Sequence, residues 1–380
     1  MSIEVKPVKT KKDLMTFIKL PFKLYENDPY WVPPLIVEEK KNFNPEKNPF
    51  YEHSDVQLFV AYKDGKPVGR ITAHIDHNYN EFHDEKTGQF GFFETINDYA
   101  VSKALFDTAS RWLKERGMEQ ILGPLSFSTN SVAGLLIEGF DSPPVVMMPY
   151  NPPFYAEHIE KYGFRKAKDL LAYIITVDEK FISFTDRLKR RLKPLAERAM
   201  RDGFTIRNVN FKKVDEEIPK LRDIYNNAWE KNWGFVPMTD KEFEHLALTL
   251  KQIAIPELTK IVEYKGDPAA FGLLIPDINQ ILKKVNGKLF PFGFLKLYFG
   301  FNKIDGLRLI ALGIKKGYRK RGADSLMYYR FLEDGLKIRK WRYCEVSWLL
   351  EDNYLIIRAT EFMGGKKYKT YRLYVKSLMD

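Results

Sequence analysis

Residues 314–326 read IKKGYRKRGADSL, five cations and two glycines where a strand-like run ends and a helix-like run begins. A helix N-terminus presents backbone N–H groups without intrahelical acceptors and the positive end of the peptide dipoles. Glycine lets such a backbone come close to an anion, and basic side chains supply the remaining charge. A phosphate or pyrophosphate is the ligand this pattern could hold; the other reading is a solvated basic turn. The wider charge distribution bears on the choice. Residues 281–380 carry 22 Lys and Arg against 9 Asp and Glu, a balance of +13, so the first 280 residues sum to −2 within the net +11. The last quarter therefore calls for an anionic partner: a phosphate-bearing cosubstrate, an anionic lipid surface or nucleic acid.

Other reactive side chains are few. Cys344 is the only cysteine, which excludes an internal disulfide and fits a reducing compartment. It stands in the apolar run YCEVSWLL and reads as an inert buried thiol. His74 and His77 lie three apart in a strand-like run, with Asp76 and His83 nearby. Residues three apart on a strand point to opposite faces, which speaks against a metal site. The hydroxyls and amide of STNSVAG (128–134) could bind a polar head group or simply make a turn.

The elements that must position these residues are legible in outline. At 380 residues the chain is long enough for about two domains. It is 44% hydrophobic and 14% aromatic, so it can build real cores. It holds no apolar run of about twenty residues, and MSIEVKPVKTKKDL has no apolar signal core. The expectation is a cytoplasmic protein, at the inner face of the membrane if it meets lipid. Two strand patterns meet at Asp64-Gly65, a strong hairpin signal, and two more flank Lys265-Gly266-Asp267-Pro268. DYAVSKALFDTASRWLKERG reads as an amphipathic helix capped by Asp98 and stopped at Gly117. The pattern gives two copies of one α+β order: residues 1–178, a charged helical connector at 179–203, and residues 204–380.

The order β-α-α-β-β-β-α-β-α-β, with a basic glycine-containing turn between fourth strand and third helix, resembles the GNAT superfamily of acyl-CoA-dependent N-acyltransferases. The resemblance implies an α+β fold of two tandem GNAT-like domains, each a mixed, mostly antiparallel sheet flanked by helices. That family's pyrophosphate loop is Arg or Gln, two residues, Gly, one residue, then Gly or Ala, which falls here on Arg319, Gly322 and Asp324. The first two match. Asp324 departs, and a carboxylate there is unfavourable unless it points away or caps the helix. The resemblance implies an acyl-CoA cosubstrate and no metal. Backbone N–H groups from Lys320, Arg321, Gly322, Ala323 and Asp324 would cradle the pyrophosphate. Arg319, Lys320 and Arg321 would add charge, Lys315 or Lys316 would reach the ribose phosphate, and Leu312 and Ile314 would flank the pantetheine. In WLLEDNYLIIRATEFMGG, Asn353 matches the asparagine that opens the family's fourth helix and Gly364 its closing glycine. Thr360 stands where many members carry a tyrosine acid. FFETINDYAVSKA passes from strand to helix with no such loop, so the first half is expected to hold no coenzyme A. Strings such as GFDSPPVVMMPYNPPFY and EVSWLLEDN resemble a bacterial tandem branch that includes ceramide synthases.

Amine acylation needs a base, because an ammonium has no lone pair. Glu351 and Glu345 are preferred over Glu94. Tyr368, Tyr371 and Tyr374 are candidates for the acid, and Tyr371 joins the two glutamates in the catalytic set. The amine substrate is expected in a cleft between the halves. Residues 277–306, DINQILKKVNGKLFPFGFLKLYFGFNKIDG, interleave aromatic and aliphatic residues with lysines. This composition suits peripheral membrane contact through 281–303 or the walls of an acyl site, or else a loop folded on its own core. No nucleic-acid motif accompanies it, and no nucleic-acid partner is expected. The expected activity is transfer of an acyl group from acyl-CoA to a free amine, with a long-chain acyl group and a sphingoid-type lipid amine as the finer form. The alternatives are short-chain acetylation of a small or peptide amine, and a non-catalytic lipid- or protein-binding module.

Overall fold

The computed structural model describes residues 2–379. In chain order, its first part contains β1 (Ile3–Pro7), α1 (Lys11–Leu24), α2 (Ile36–Asn42), β2 (Ser54–Lys63), β3 (Lys66–Asp76), α3 (His77–His83) and β4 (Thr87–Thr95). There follow α4 (Tyr99–Lys114), β5 (Gln120–Gly123), β6 (Leu135–Glu138), α5 (Phe154–Lys161) and β7 (Arg165–Thr176). Next come α6 (Glu179–Arg201), β8 (Phe204–Asn208), α7 (Val214–Trp229), α8 (Asp240–Lys251), β9 (Thr259–Tyr264) and β10 (Asp267–Pro276). The chain closes with α9 (Asn279–Val285), α10 (Gly293–Phe301), β11 (Gly306–Ile314), α11 (Ala323–Ile338), β12 (Tyr343–Leu350), α12 (Tyr354–Phe362) and β13 (Lys366–Ser377). Two units result, and they interleave along the chain. The first takes everything up to Leu171, then Asn279–Phe301 and the stretch from Tyr368 on; the second takes Ala172–Ile278 and Asn302–Lys367.

In the first unit the strands neighbour one another in the order β1-β2-β3-β4-β5-β13, with β6 also on β13. Asp64 and Gly65, at φ 49° and 74°, make the two-residue turn between β2 and β3, with Lys63 opposite Lys66. Both positions need positive φ, which is why Asp-Gly stands there. The Asp98 carboxylate accepts from the Ala100 N–H at 3.0 Å and starts α4. That helix buries Val101, Leu105, Phe106, Ala109 and Leu113, residues spaced three and four apart, against β3 and β4.

The second unit repeats the plan in the order β12-β11-β10-β9-β8. Here the turn is Lys265-Gly266, at φ 52° and 93°, and Asp267 already pairs with Tyr264. Helices α6 and α11 cover one face of this sheet through Ala196, Ala199, Ala323, Leu326 and Met327. Trp229 of α7 packs on Phe271 at a ring separation of 5.7 Å.

The unit limits differ from the expected 1–178 and 204–380 in three places. The helix at 179–201 is an integral part of the second unit, because Ala196 and Ala199 pack in its core. The insertion at 279–301 belongs to the first unit: Asn279 donates to the Pro144 carbonyl at 2.9 Å, and the Ile36 N–H donates to Gly287 O at 3.0 Å. The last strand also joins the first unit, pairing with β5 from Tyr374 opposite Gly123. None of these three partnerships leaves a mark in the local sequence period.

Candidate functional site

The basic turn is built by strand β11, a short 3-10 turn at Lys316–Tyr318 and the start of α11. Gly322 is the N-cap at φ 94°, and a Cβ there would lie 3.0 Å from the Ala199 Cβ of α6. Both the left-handed conformation and the close helix demand glycine. Lys320 also has positive φ, 59°, so two left-handed residues stand just before the helix. The N–H groups of Ala323 and Asp324 open the helix and have no acceptor within it.

The side chains of the turn divide their work differently from expectation. Arg319 donates to the Ile314 carbonyl at 3.0 Å and to the Ala228 carbonyl at 2.8 Å, so its guanidinium braces the loop. Lys315 pairs with Asp223 and Lys316 with Glu230. Arg321 lies over the Tyr264 ring at 4.3 Å. Among the described residues Lys320 is the one cation of the five without a hydrogen bond, ion pair or ring contact, and it is exposed. Asp324 Oδ1 accepts from the Ser325 N–H at 2.8 Å, so the carboxylate is drawn onto the first turn of the helix.

Strands β11 and β12 run parallel and pair only from Gly306 opposite Tyr343 to Leu309 opposite Val346. Each continues beyond that point, to Ile314 and Leu350. They therefore part, and among the described residues no ladder pairs them beyond that point. A bulge in β11 facing Leu273 and Leu274 marks the same level. Just below it, buried Arg308 of β11 donates to Ser347 Oγ of β12 at 3.0 Å, and Ser347 Oγ donates in turn to the Glu345 carboxylate. This buried chain of polar groups fastens the two strands where their ladder ends.

A cavity of about 460 Å³ opens between the parted strands and helices α6, α11 and α12. One face of α11 lines it from end to end: Asp324 and Ser325, Tyr328, Phe331 and Leu332, Gly335 and Leu336. Those twelve steps span about 18 Å at ~1.5 Å per residue. The near end adjoins the basic turn; the far end is walled by buried Leu258 and Trp341. Leu312, Ile310 and Leu309 line it from β11, Leu349 and Leu350 from β12, and Ile356, Phe362 and Met363 from α12 or just beyond it. Its titratable side chains are Asp324, Tyr328 and Cys344. Burial pushes the Cys344 thiol up to about 12, so it is protonated and a poor nucleophile. Burial first, and the Asp324 charge second, raise the Tyr328 hydroxyl above its ordinary value.

Of the residues singled out from sequence, Leu312, Asp324 and Asn353 line this cavity. Asn353 opens α12 without using its side chain as a cap. Ala323 is core, and Ile314 packs beside it. Thr360 lines the cavity while donating to the Ile356 carbonyl at 2.8 Å. The catalytic set is not assembled there. Glu345 is fully buried under Ser347, and Glu351, in the turn after β12, is absent from the cavity lining. Tyr371 is fully buried in the first unit, in β13 opposite Leu136. The strand pattern of YRLYVK does not reveal which sheet takes it. The sequence reading also missed Tyr328, Phe331, Leu332 and Gly335, although their three-and-four spacing on α11 was visible.

No protein-family model matches the chain. Protein YghO of Escherichia coli (strain K12) is 39% identical over 97% of this chain and 94% of its own length. The bacterial ceramide synthase of Caulobacter vibrioides is 36% identical over 99% of this chain and 98% of its own. Among solved structures, a tandem GNAT protein from the clavulanic acid biosynthesis pathway superposes with a TM-score of 0.59 at 12% identity, covering 100% of this chain and 99% of that one. A GCN5-related N-acetyltransferase from Sphaerobacter thermophilus gives 0.52 at 12% identity over 99% and 96%. With two such relatives spanning nearly its whole length, the chain belongs to the family that contains Protein YghO and the bacterial ceramide synthase, and it has the tandem GNAT fold.

Proposed function

We propose that this chain is an N-acyltransferase that binds a long-chain acyl-CoA in its second unit and transfers the acyl group to the free amine of a lipid. One observation carries the reading: an apolar cavity about 18 Å long starts at the basic helix N-terminus and runs between two parted strands. The turn would offer a pyrophosphate the unbonded amides that open α11 and the uncommitted, exposed Lys320. An extended chain advances roughly 1.2 Å per bond, a third of the ~3.6 Å covered by one residue. The cavity therefore accepts about fifteen bonds, about twelve of them the pantetheine arm's, so it takes the first few carbons of the acyl chain, and the long-chain form of the proposal draws on the ceramide synthase relative. The attacking amine nitrogen forms a bond to the thioester carbonyl carbon, the carbon–sulfur bond breaks, and coenzyme A leaves as its thiol with the proton the amine gives up. Backbone N–H groups of the parted strands would hold the carbonyl oxygen as it gains charge. With the only cysteine protonated, direct attack is preferred over an acyl-enzyme.

The lipid character of the acceptor draws on α10 as well as on the ceramide synthase relative. Phe290, Phe292, Tyr298 and Phe299 are each between 65% and 78% exposed, so this segment is not folded on its own core. Lys288 and Lys303 flank it, and the composition matches an element that inserts rings at an anionic membrane surface. Among the described residues no helix is long and apolar enough to cross a membrane.

Calorimetric titration with acetyl-, octanoyl- and palmitoyl-CoA tests the reading. Affinity should rise steeply with chain length. Equal affinities would favour a short-chain acetyltransferase, and absence of binding by all three would remove the enzyme reading.

A further inference from the structure

The first unit holds a second cavity, of about 290 Å³. Its wall includes two charged side chains, Arg70 of β3 and Glu94 of β4, which are cross-strand partners. Both are buried: 7% of the Arg70 side chain and 13% of the Glu94 side chain are exposed.

Glu94 uses only half of its accepting capacity. Its Oε2 accepts from the Tyr25 hydroxyl at 2.6 Å and from the Tyr155 hydroxyl at 2.9 Å. Its Oε1 stands 3.8 Å from Arg70 Nη2, beyond hydrogen-bond reach, and has no other donor among the described residues. A carboxylate offers about four acceptor sites, and leaving those of a buried one unfilled is costly. Arg70 is partly engaged: its Nη1 donates to the Phe17 carbonyl at 2.9 Å and the guanidinium lies over the Phe17 ring at 4.8 Å, while its Nε has no partner among the described residues. It is also the one cation set against two carboxylates, since burial raises both Glu94 and Glu39 and Arg70 opposes the shift in each. With both ionised, the pair exceeds Arg70 by one negative charge. The remaining wall suits the stem of an organic cation. Trp31 stacks on Tyr25 at 5.1 Å, Tyr150 is held by Asp28, and Val32, Pro33, Met148 and Pro149 add apolar wall, while Ser126, Asn151 and Asn279 add polar wall. Aromatic rings beside a carboxylate attract a cation and repel an anion.

We propose that this cavity binds a primary ammonium on an apolar stem, with Glu94 Oε1 accepting from the nitrogen. The site stands on its own geometry; only the role of its ligand as the acyl acceptor rests on the acyltransferase reading.

The test titrates the full chain at neutral pH with n-hexylamine and with n-hexanol, which share a stem and differ in the cation. Hexylamine should bind saturably and at least tenfold more tightly than hexanol, the ordinary worth of one charge-assisted hydrogen bond. Glu94→Gln should weaken hexylamine at least tenfold and leave hexanol unchanged. Equal binding of the two probes, unchanged binding in Glu94→Gln, or no saturable hexylamine binding would each overturn the proposal. The comparison of probes on the unsubstituted chain decides the matter if the variant does not fold. Palmitoyl-CoA is titrated in parallel. Its failure to bind the unsubstituted chain would remove the acyltransferase reading while the hexylamine result still judged the amine site.

Discussion

Gly335 lies on the cavity face of α11, beside the far wall. A Cβ at this position would meet only Leu258 Cδ2, at 3.6 Å, an ordinary contact. Its carbonyl accepts from the Trp341 indole at 2.9 Å, and a side chain at 335 leaves that bond intact. Gly335→Leu is therefore expected to fold, with a gain of about 0.8 kcal/mol in helix propensity. The leucine side chain would fill roughly one helical turn of the cavity, ~5.4 Å. At ~1.2 Å per bond that displaces about four methylenes of an acyl chain. At ~0.8 kcal/mol for each buried methylene the loss is ~3 kcal/mol, on the order of a hundredfold in affinity. The loss applies only to chains that reach the far end. Because the pantetheine arm takes about twelve of the fifteen bonds the cavity accepts, an octanoyl chain already reaches the far end, so calorimetry with free coenzyme A, octanoyl-CoA and palmitoyl-CoA should show both acyl-CoAs weakened about a hundredfold and free coenzyme A least affected. Equal weakening of all three would mean that position 335 does not measure chain length. No weakening of any would place the acyl chain outside this cavity.

Three further outcomes follow from the geometry. Asp324→Asn removes a negative charge from the first turn of α11 while keeping an oxygen for the Ser325 N–H, so coenzyme A should bind severalfold more tightly; weaker binding would show that the carboxylate supports the site. His74 is fully buried against the Phe127 carbonyl at 2.6 Å, and burial lowers it from 6.5 to about 4. Its contribution is present above pH 6.5 and lost as pH falls towards 4, because the unfolded chain takes up the proton first; the loss is ~3 kcal/mol. Urea unfolding at intervals across that window should show the decline, and His74→Phe should flatten it; an unaltered slope would refute the assignment. Replacing Phe290, Phe292, Tyr298 and Phe299 together by serine should lower co-sedimentation with anionic vesicles at least tenfold and leave palmitoyl-CoA affinity unaltered; undiminished sedimentation would remove α10 as the membrane contact.

The local chemistry of the chain was legible where a residue type has one conformational use. Asp64-Gly65 fixed the first hairpin, Asp98 opened α4, and Gly322 announced a helix N-terminus. Partnership at long range was not legible. The period of YRLYVK is that of a strand in any sheet, and only the packed structure shows β13 completing the first unit through Gly123 and Leu136. The helix at 179–201 is rich in charge and reads as a connector, because the feature that seats it on α11 is two alanines, Ala196 and Ala199. Small residues matter by what they allow to approach, and that partner is elsewhere in the sequence.

The same reasoning separates the charged residues that were found from those that were misplaced. Acidic residues near an expected acyl site, Glu345 and Glu351, were preferred for their sequence position. Yet Glu345 serves the Arg308–Ser347 fastening of β11 to β12, a structural use that a strand pattern cannot distinguish from a catalytic one. Arginine repeats the lesson: Arg319 matches a motif for binding phosphate and spends its donors on the Ile314 and Ala228 carbonyls. In the proposed site the backbone amides of the turn would bind the anion, and Arg319 would brace the loop that carries them. Glu94 is the converse case. It was the least favoured glutamate by position, and it alone of the three has a carboxylate oxygen without a donor on the wall of a cavity. What marks a polar side chain as available for a ligand is the share of its hydrogen-bonding capacity that the fold leaves unused.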